Sequence, residues 1–125
     1  MKGFVTNIEK ATETNTNFRK VLFTGKFCQL VVMSLKPGEA IGLEVHENVD
    51  QFFRIEKGKA RFIIDGEEAE VGEDFAVVVP AGSKHNVINN SQTDNLMLYT
   101  IYSPPNHPEG TIHKTKKEAE ANEHH

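Results

Sequence analysis

Short apolar runs, separated by turn-forming residues, constrain this chain more than any other feature of its sequence. The runs are rich in Val, Ile, Phe, Leu and Tyr, which favour strands, and Gly, Pro, Asn or Asp recurs between them at intervals of about ten residues. That spacing is typical of a β-sandwich or barrel. We therefore predict an all-β fold, with strands over 20–24, 27–35, 51–56, 59–65, 75–79 and 95–102.

Two local patterns refine this prediction. Asp65-Gly66 follows one strand-like run and precedes another, which is a strong signal for a β-hairpin. In 95–102 the alternation of a strand separates two faces, both fairly apolar, as expected for packing on each side. One face carries Leu96, Leu98, Thr100 and Tyr102, and the other carries Met97, Tyr99 and Ile101.

A single short helix is predicted near the end of the chain. Thr115 and Glu118 have the spacing of a capping box, which opens a helix that extends to about Ala121. Residues 103–113 contain three of the five prolines and are predicted to be irregular.

Composition bounds the remaining possibilities. The 125 residues, with 14 basic and 18 acidic groups and a net charge of −4, suit one globular domain spanning 1–125. Mild acidity argues against nucleic acid as a partner, and no apolar stretch approaches the ~18 residues of a membrane helix. The lone cysteine, Cys28, and the polar N-terminal sequence favour the cytoplasm. Cys28 lies in an apolar run, so we expect a buried, unreactive thiol.

Two histidine-bearing segments carry the candidate chemistry. Glu44 and His46 are two residues apart, so an extended strand presents both on one face. Gln51 has the wrong parity for that face, but a turn over 47–50 would let it face the pair from a neighbouring strand. His85 begins the strand after a Pro-Gly turn. If both turns open at one end of a barrel, the four side chains converge on a site suited to Mn, Fe, Co, Ni or Zn.

These segments resemble the two motifs of the cupins, over about residues 20–103. In the first motif, framed by two glycines, Glu44, His46 and Gln51 stand where two histidines and a glutamate are usual. In the second, His85 stands at the histidine position, with two extra residues between the first glycine and the proline. The framing residues are Gly38 and Gly58 in the first motif, and Gly72, Pro80, Gly82 and Asn89 in the second.

The resemblance implies a small, single-domain cupin of bacterial type. Its fold would be a jelly-roll double-stranded β-helix barrel, with residues 104–125 forming a C-terminal arm and the short helix. It also implies a homodimer that binds one divalent transition metal. Relative to the usual cupin ligands, an amide oxygen replaces one imidazole while the single carboxylate is kept, which favours Mn²⁺ or Fe²⁺. If Glu44 pointed away, only two histidines and a weak amide would remain.

Other side chains have less specific roles. Five apolar residues either line the barrel beside the metal or form plain core, namely Phe53, Phe62, Phe75, Leu98 and Tyr102. Arg54 and Arg61 are expected on the opposite surface, and Asn89 is expected to anchor a turn. No cationic group, which would indicate a phosphate or carboxylate substrate, can be placed in the pocket.

The remaining histidines lie after the predicted barrel. Residues 99–113, with His107 and His113, either fold over the barrel mouth, where one histidine serves as a proton shuttle, or form a wrapped arm with surface histidines. His124 and His125 suggest a frayed terminus or the remnant of a purification tag.

Several functions remain open on this evidence. Resemblance to cupins of sugar metabolism favours an enzyme acting on a small organic molecule, most like a sugar isomerase or epimerase. A metal-dependent dioxygenase is the next candidate. A sensor or storage cupin that holds a small ligand without turnover, and a metal-free structural barrel, are the non-enzymatic alternatives.

Overall fold

A computed structural model describes residues 2–122. In this range one short helix precedes ten strands and a second follows them. Helix α1 covers Ile8–Thr14 and α2 covers Lys116–Ala121. The strands are β1 (Arg19–Thr24), β2 (Gln29–Leu35), β3 (Glu44–Val45), β4 (Asp50–Lys57), β5 (Ala60–Ile64), β6 (Glu67–Val71), β7 (Ala76–Val79), β8 (Lys84–Asn89), β9 (Leu96–Ser103) and β10 (Ile112–His113).

The strands form two antiparallel sheets that pack face to face. One has the order β10-β1-β2-β9-β4-β7, and the other has the order β3-β8-β5-β6. Phe53 of the first sheet meets Phe62 of the second edge to face, with 5.0 Å between ring centroids. On β9 the alternation is present, and the face that carries Leu96, Leu98, Thr100 and Tyr102 is the buried one. The chain is therefore a jelly-roll barrel with an apolar interior, as predicted.

All six predicted strands are present, with bounds within two residues of those expected. The Asp65-Gly66 hairpin is also confirmed, since both residues have positive φ, as a tight hairpin turn requires. The C-terminal helix begins where predicted, because the Thr115 hydroxyl accepts a hydrogen bond from the Glu118 amide.

Other elements were missed because they lack an apolar pattern. For strand β6, the second strand of the Asp65-Gly66 hairpin, no bounds were predicted, because it is acidic and exposed and lies in the sheet through its pairing with β5. Helix α1 is short and polar, capped by Asn7. The prediction that 103–113 is wholly irregular is wrong at its end, because β10 pairs with β1.

Two predictions of burial are wrong. Cys28 is exposed because it lies in the turn before β2, where its carbonyl accepts a hydrogen bond from the Gly25 amide. Phe75 is 53% exposed, since it precedes β7 at the edge of the sheet.

Three polar residues lie as expected. Arg54 and Arg61 point outward and pair with Asp74 and Glu68, each at 3.0 Å. Asn89 anchors its turn, because its side-chain nitrogen donates to three backbone carbonyls at 2.8 to 3.1 Å. No helix among residues 2–122 has the length and apolar character needed to cross a membrane.

The turn at Gly58 provides a test of the fold. Gly58 has φ of +97°, and an added Cβ would lie 2.8 Å from the backbone oxygen of Asn95. Gly58→Ala should therefore lower the free energy of unfolding by about 3 kcal/mol, from backbone strain plus the clash. Gly38 also has positive φ but open space around it, so Gly38→Ala should cost only about 1 kcal/mol. Urea unfolding compares the two, and equal losses would contradict the packing at Gly58.

Candidate metal centre

Strand pairing brings the two histidine-bearing segments together. Glu44 on β3 lies directly opposite His85 on β8 in the antiparallel register. The carbonyl of His46, just after β3, accepts a hydrogen bond from the Gly82 amide at 2.9 Å. The Pro-Gly turn before β8 is thus tied to the end of β3, which places both motifs at one end of the barrel.

Glu44, His46 and His85 form a compact group. Each offers one ligand atom, and these atoms all lie within 4.8 Å of one another. The Nε2 atom of His46 is 3.7 Å from Oε1 of Glu44, and the two imidazole rings are 5.4 Å apart. The alternative in which Glu44 points away is therefore wrong, because its carboxylate faces the two rings.

One ring nitrogen of each site histidine is buried without a hydrogen-bond partner. Among residues 2–122, Nε2 of His46 and Nε2 of His85 make no hydrogen bond, although both atoms are buried. Nδ1 of His85 lies 3.2 Å from the carbonyl oxygen of Ser83, which can only accept. A proton on Nδ1 satisfies this contact and leaves Nε2 facing the group, the arrangement by which a histidine binds a metal.

Gln51 reaches the interior from the opposite sheet. It lies on β4 and is 2% exposed. Its Nε2 donates to the Thr100 hydroxyl at 3.0 Å, and its Oε1 is buried with no hydrogen bond to any residue that the structure describes. The predicted turn before Gln51 is present, and the amide orientation leaves an acceptor oxygen available.

The Glu44 carboxylate is held in its charged form. Burial alone would raise the pKa of Glu44, but polar contact with His46 and the charge of that ring outweigh this effect. The charges of Arg19 and His85 act in the same direction, so the pKa lies below its ordinary value. One carboxylate together with nitrogen and oxygen donors makes a set that fits a divalent transition metal.

A cavity of about 510 Å³ opens onto this group. Glu44 and His46 lie on one side of it. The C-terminal arm supplies the rest of the lining, namely Asn106, His107, Pro108, Thr111, His113 and Asn122. Of the two alternatives for the arm, the one that places it over the barrel mouth is confirmed, and the one with surface histidines is wrong.

The proton-shuttle role is not supported at His107. Burial is the largest effect on this ring and, with the charge of Arg19, lowers the pKa of His107 to about 3. The ring is therefore neutral at physiological pH. His124 and His125 lie outside the described residues.

Arg19 is a site residue that the sequence did not reveal. It is 1% exposed, and its Nη1 lies 3.3 Å from Nδ1 of His113, which lines the cavity. A cationic group therefore lies beside the pocket after all. Its position on β1, two residues before the inward-facing Val21, would have indicated that Arg19 points into the barrel. The predicted strand began one residue too late to include it.

Aromatic side chains enclose the group. Tyr102 meets His46 edge to face at 5.9 Å, and Phe53 lies 6.3 Å from His85. Phe62 and Leu98 are fully buried. Four of the five predicted interior residues are thus inside the barrel, and two of these contact the site histidines.

Comparison with known proteins agrees with this architecture. The model of the cupin domain family matches residues 31–102, more than half of the chain. The chain belongs to the cupin family. As in many cupins, a group of histidines and a carboxylate inside the barrel is suited to a metal ion.

Three relatives show how far the likeness extends. The chain is 52% identical to the uncharacterized protein YrkC of Bacillus subtilis, over 98% of this chain and 68% of that protein. The crystal structure of BH2720 from Bacillus halodurans aligns with a TM-score of 0.93 and 44% identity, over 96% of this chain and 95% of that one. Mannose-1-phosphate guanylyltransferase ManC of Salmonella typhimurium is 29% identical, over 52% of this cupin and 14% of that protein.

The buried His107 gives this cupin a specific pH dependence. The imidazole takes up a proton at pH 6.5 when unfolded but only at about pH 3 when folded. Its contribution to stability is therefore complete above about pH 6.5 and is lost as the pH falls toward about 3. His107→Asn cannot take up that proton. As the pH is lowered, the free energy of unfolding of the variant should therefore fall less steeply than that of the wild type, with slopes that differ by up to about 1.4 kcal/mol per pH unit.

The measurement is urea unfolding of metal-free protein at several pH values between about 4 and 7. Because the variant differs from the wild type at this residue alone, the other titrating groups cancel in the comparison. Parallel pH profiles for the two proteins would contradict the neutral, buried state of His107.

Proposed function

We propose that this cupin binds one divalent transition metal through Glu44, His46, Gln51 and His85 and acts on a small organic molecule. The observation that carries the proposal is a set of three buried polar atoms that make no hydrogen bond with the described residues, beside a carboxylate whose pKa is lowered. The three atoms are Nε2 of His46, Nε2 of His85 and Oε1 of Gln51. Burying such atoms unsatisfied costs about 1–3 kcal/mol each. A bound cation would offset that cost for all of them at once.

The donor set favours Mn²⁺ or Fe²⁺ over Co, Ni or Zn. Two imidazoles, one carboxylate and one amide oxygen are harder ligands than the three imidazoles and one carboxylate usual in cupins. A metal held there would polarise a carbonyl or enediol oxygen of a bound molecule as a Lewis acid.

The protein's own groups would prepare the site for such a molecule. The Ser83 carbonyl can accept a hydrogen bond from Nδ1 of His85, and Glu44 supplies the single negative charge. Tyr102 and Phe53 pack on the site histidines and limit water around them. The cavity of about 510 Å³ has the size of a small-molecule pocket.

A sugar or sugar acid is the ligand class that we favour, with isomerisation or epimerisation as the reaction. The partial likeness to an enzyme named for mannose 1-phosphate supports this class. A binding cupin without turnover is the second candidate. It is favoured by the neutral His107, because this ring is a poor base and Glu44 is assigned to the metal. A dioxygenase would be indicated by oxygen consumption with bound iron.

We also propose a homodimer. Phe75 and Val78 are 53% and 62% exposed beside or on β7, an edge strand of the larger sheet. Apolar side chains at an open sheet edge are suited to contact with a second copy of the chain.

Metal content tests the site directly. Wild-type protein prepared without chelating resin should hold close to one metal ion per chain. His46→Ala and His85→Ala should each weaken binding by more than about 100-fold, since losing even an outer-shell partner costs 10–100-fold. Gln51→Leu should weaken it by about tenfold. Elemental analysis and competition with a chelating dye measure these changes.

His107→Asn is the matched control, because it replaces a cavity histidine that lies outside the proposed ligand set. It should retain the wild-type metal content. A wild-type protein that takes up none of the five metals under any loading condition would contradict the metal site.

Turnover distinguishes the enzyme from the binding cupin. Protein loaded separately with Mn²⁺, Fe²⁺ or Zn²⁺ is incubated with sugar phosphates, uronates and diketones, and products are identified by NMR. We expect isomerised product with Mn²⁺ or Fe²⁺ and none with His46→Ala. Binding of a compound with no product, under every metal, would favour the sensor or storage role.

A further inference from the structure

The atoms proposed to bind the metal are enclosed by their neighbours. Nε2 of His46, Nε2 of His85 and Oε1 of Gln51 are all buried, although the cavity reaches the side chain of His46. Tyr102 packs on the His46 ring, and the His107 ring of the arm packs on Tyr102, with 5.9 and 5.1 Å between ring centroids. A metal ion or ligand can therefore reach these atoms only if part of the enclosing structure moves.

The strands that surround the site are held in place by pairing. Every residue of β2 pairs with β9, β9 also pairs with β4, and β3 pairs with β8. Moving one of these strands would break a row of backbone hydrogen bonds together. Local opening occurs instead in segments that few contacts hold to the core.

The part of the arm between β9 and β10 is such a segment, and we call residues 104–111 the strap. It has no strand partner among residues 2–122. Its last residue, Thr111, accepts a backbone hydrogen bond from Val21, next to the pairing of β10 with β1. Before that point, within the described chain, the backbone of the strap is hydrogen-bonded to the barrel only at Gln29.

Gln29 holds the strap from inside the barrel. It lies on β2 and is 0% exposed, and its Oε1 accepts hydrogen bonds from the amides of Asn106 and His107 at 3.1 and 3.0 Å. Its Nε2 donates to the His107 carbonyl at 2.8 Å and to the Thr24 hydroxyl at 3.0 Å. The bond to Thr24 lies within the barrel, whereas the other three hold the strap. These three break together when the strap moves away, because Gln29 itself lies on a paired strand.

The strap also forms much of the cavity wall. Four of its residues line the cavity, namely Asn106, His107, Pro108 and Thr111. Its tip is unobstructed, since no described residue apart from its chain neighbours lies within 4 Å of a Cβ built on Gly110. An outward movement of the strap would therefore widen the cavity and withdraw the His107 ring from Tyr102, which packs on His46.

We propose that the strap is a gate over the metal centre and that Gln29 is the latch that keeps it closed. This inference rests on the proposed function for what passes the gate, whereas the opening itself does not depend on it. A metal ion enters and leaves through the same open state, so a weaker latch raises both rates by the same factor and leaves the affinity unchanged. A residue that only shaped the metal site would change the affinity instead.

The opening is tested first, by NMR-detected hydrogen exchange on metal-free wild-type protein. The amides of Asn106 and His107 should exchange at similar rates and be clearly less protected than the amides of the β2–β9 ladder, since the strap opens without unfolding of the barrel. If both amides exchange only as slowly as the ladder, the gate is refuted. This comparison needs neither a variant nor a bound metal, so it is separable from failure of the proposed function.

The latch is tested with two variants in the same experiment. Gln29→Met keeps the length of the side chain but removes its hydrogen bonds, so it should speed exchange of the Asn106 and His107 amides by about tenfold or more. Thr24→Val is the matched control, because it removes only the bond within the barrel and should leave the exchange of both amides near the wild-type rate. Unchanged exchange in Gln29→Met would refute the latch. Urea unfolding of each variant shows that the barrel itself is intact.

Passage of the metal is tested by stopped-flow uptake of Zn²⁺ and by its release to excess chelator. In Gln29→Met both rates should rise by about tenfold or more, with the dissociation constant unchanged, and Thr24→Val should match the wild type. Equal rates in Gln29→Met and wild type would overturn the proposal, as would faster release with unchanged uptake, which indicates a distorted metal site. A wild type that binds no Zn²⁺ or other metal would instead refute the proposed function, and hydrogen exchange would still decide whether the strap opens at Gln29.

Discussion

Polar atoms buried inside the barrel without hydrogen bonds are the constraint on which the rest of the site depends. An apolar interior of this kind normally excludes such atoms, because each costs free energy when it leaves water unpaired. Here Nε2 of His46, Nε2 of His85 and Oε1 of Gln51 are buried together with aromatic neighbours. Strand pairing and the turn at Gly82 place the backbone around His46 and His85 so that their side chains meet inside the barrel.

The arm over the barrel mouth follows from the same interior. Gln29 is a fully buried polar residue on β2, and the arm supplies the partners that its amide requires. The hydrogen bonds that satisfy Gln29 also fix the backbone of His107, so one buried side chain holds the arm over the mouth and places the His107 ring in the cavity wall. A chain of polar contacts therefore links the core strand to the cavity wall.

Local sequence patterns were sufficient to predict the parts of this structure that have alternating apolar residues, a turn motif or a helix cap. The β9 face from Leu96 to Tyr102, the Asp65-Gly66 hairpin and the Thr115 cap all follow from local rules. The convergence of Glu44, His46 and His85 followed from motif spacing.

The positions of Arg19 and of the arm could not be predicted from local patterns. A buried cation and a proline-rich segment show no alternation of apolar residues, and their positions depend on partners about 80 to 95 residues away in sequence. Cys28 was misplaced because its apolar neighbours belong to a turn rather than to the strand.

The two departures from the usual cupin ligands lie on opposite sheets of the barrel. At position 51 the amide nitrogen of Gln51 donates to the Thr100 hydroxyl, a role that a glutamate carboxylate could not take, because a carboxylate only accepts. The carboxylate charge is kept at Glu44, on the opposite sheet, where His46 and His85 stabilise it. Moving the charge from one sheet to the other thus preserves the charge of the ligand set while position 51 keeps a donor to Thr100.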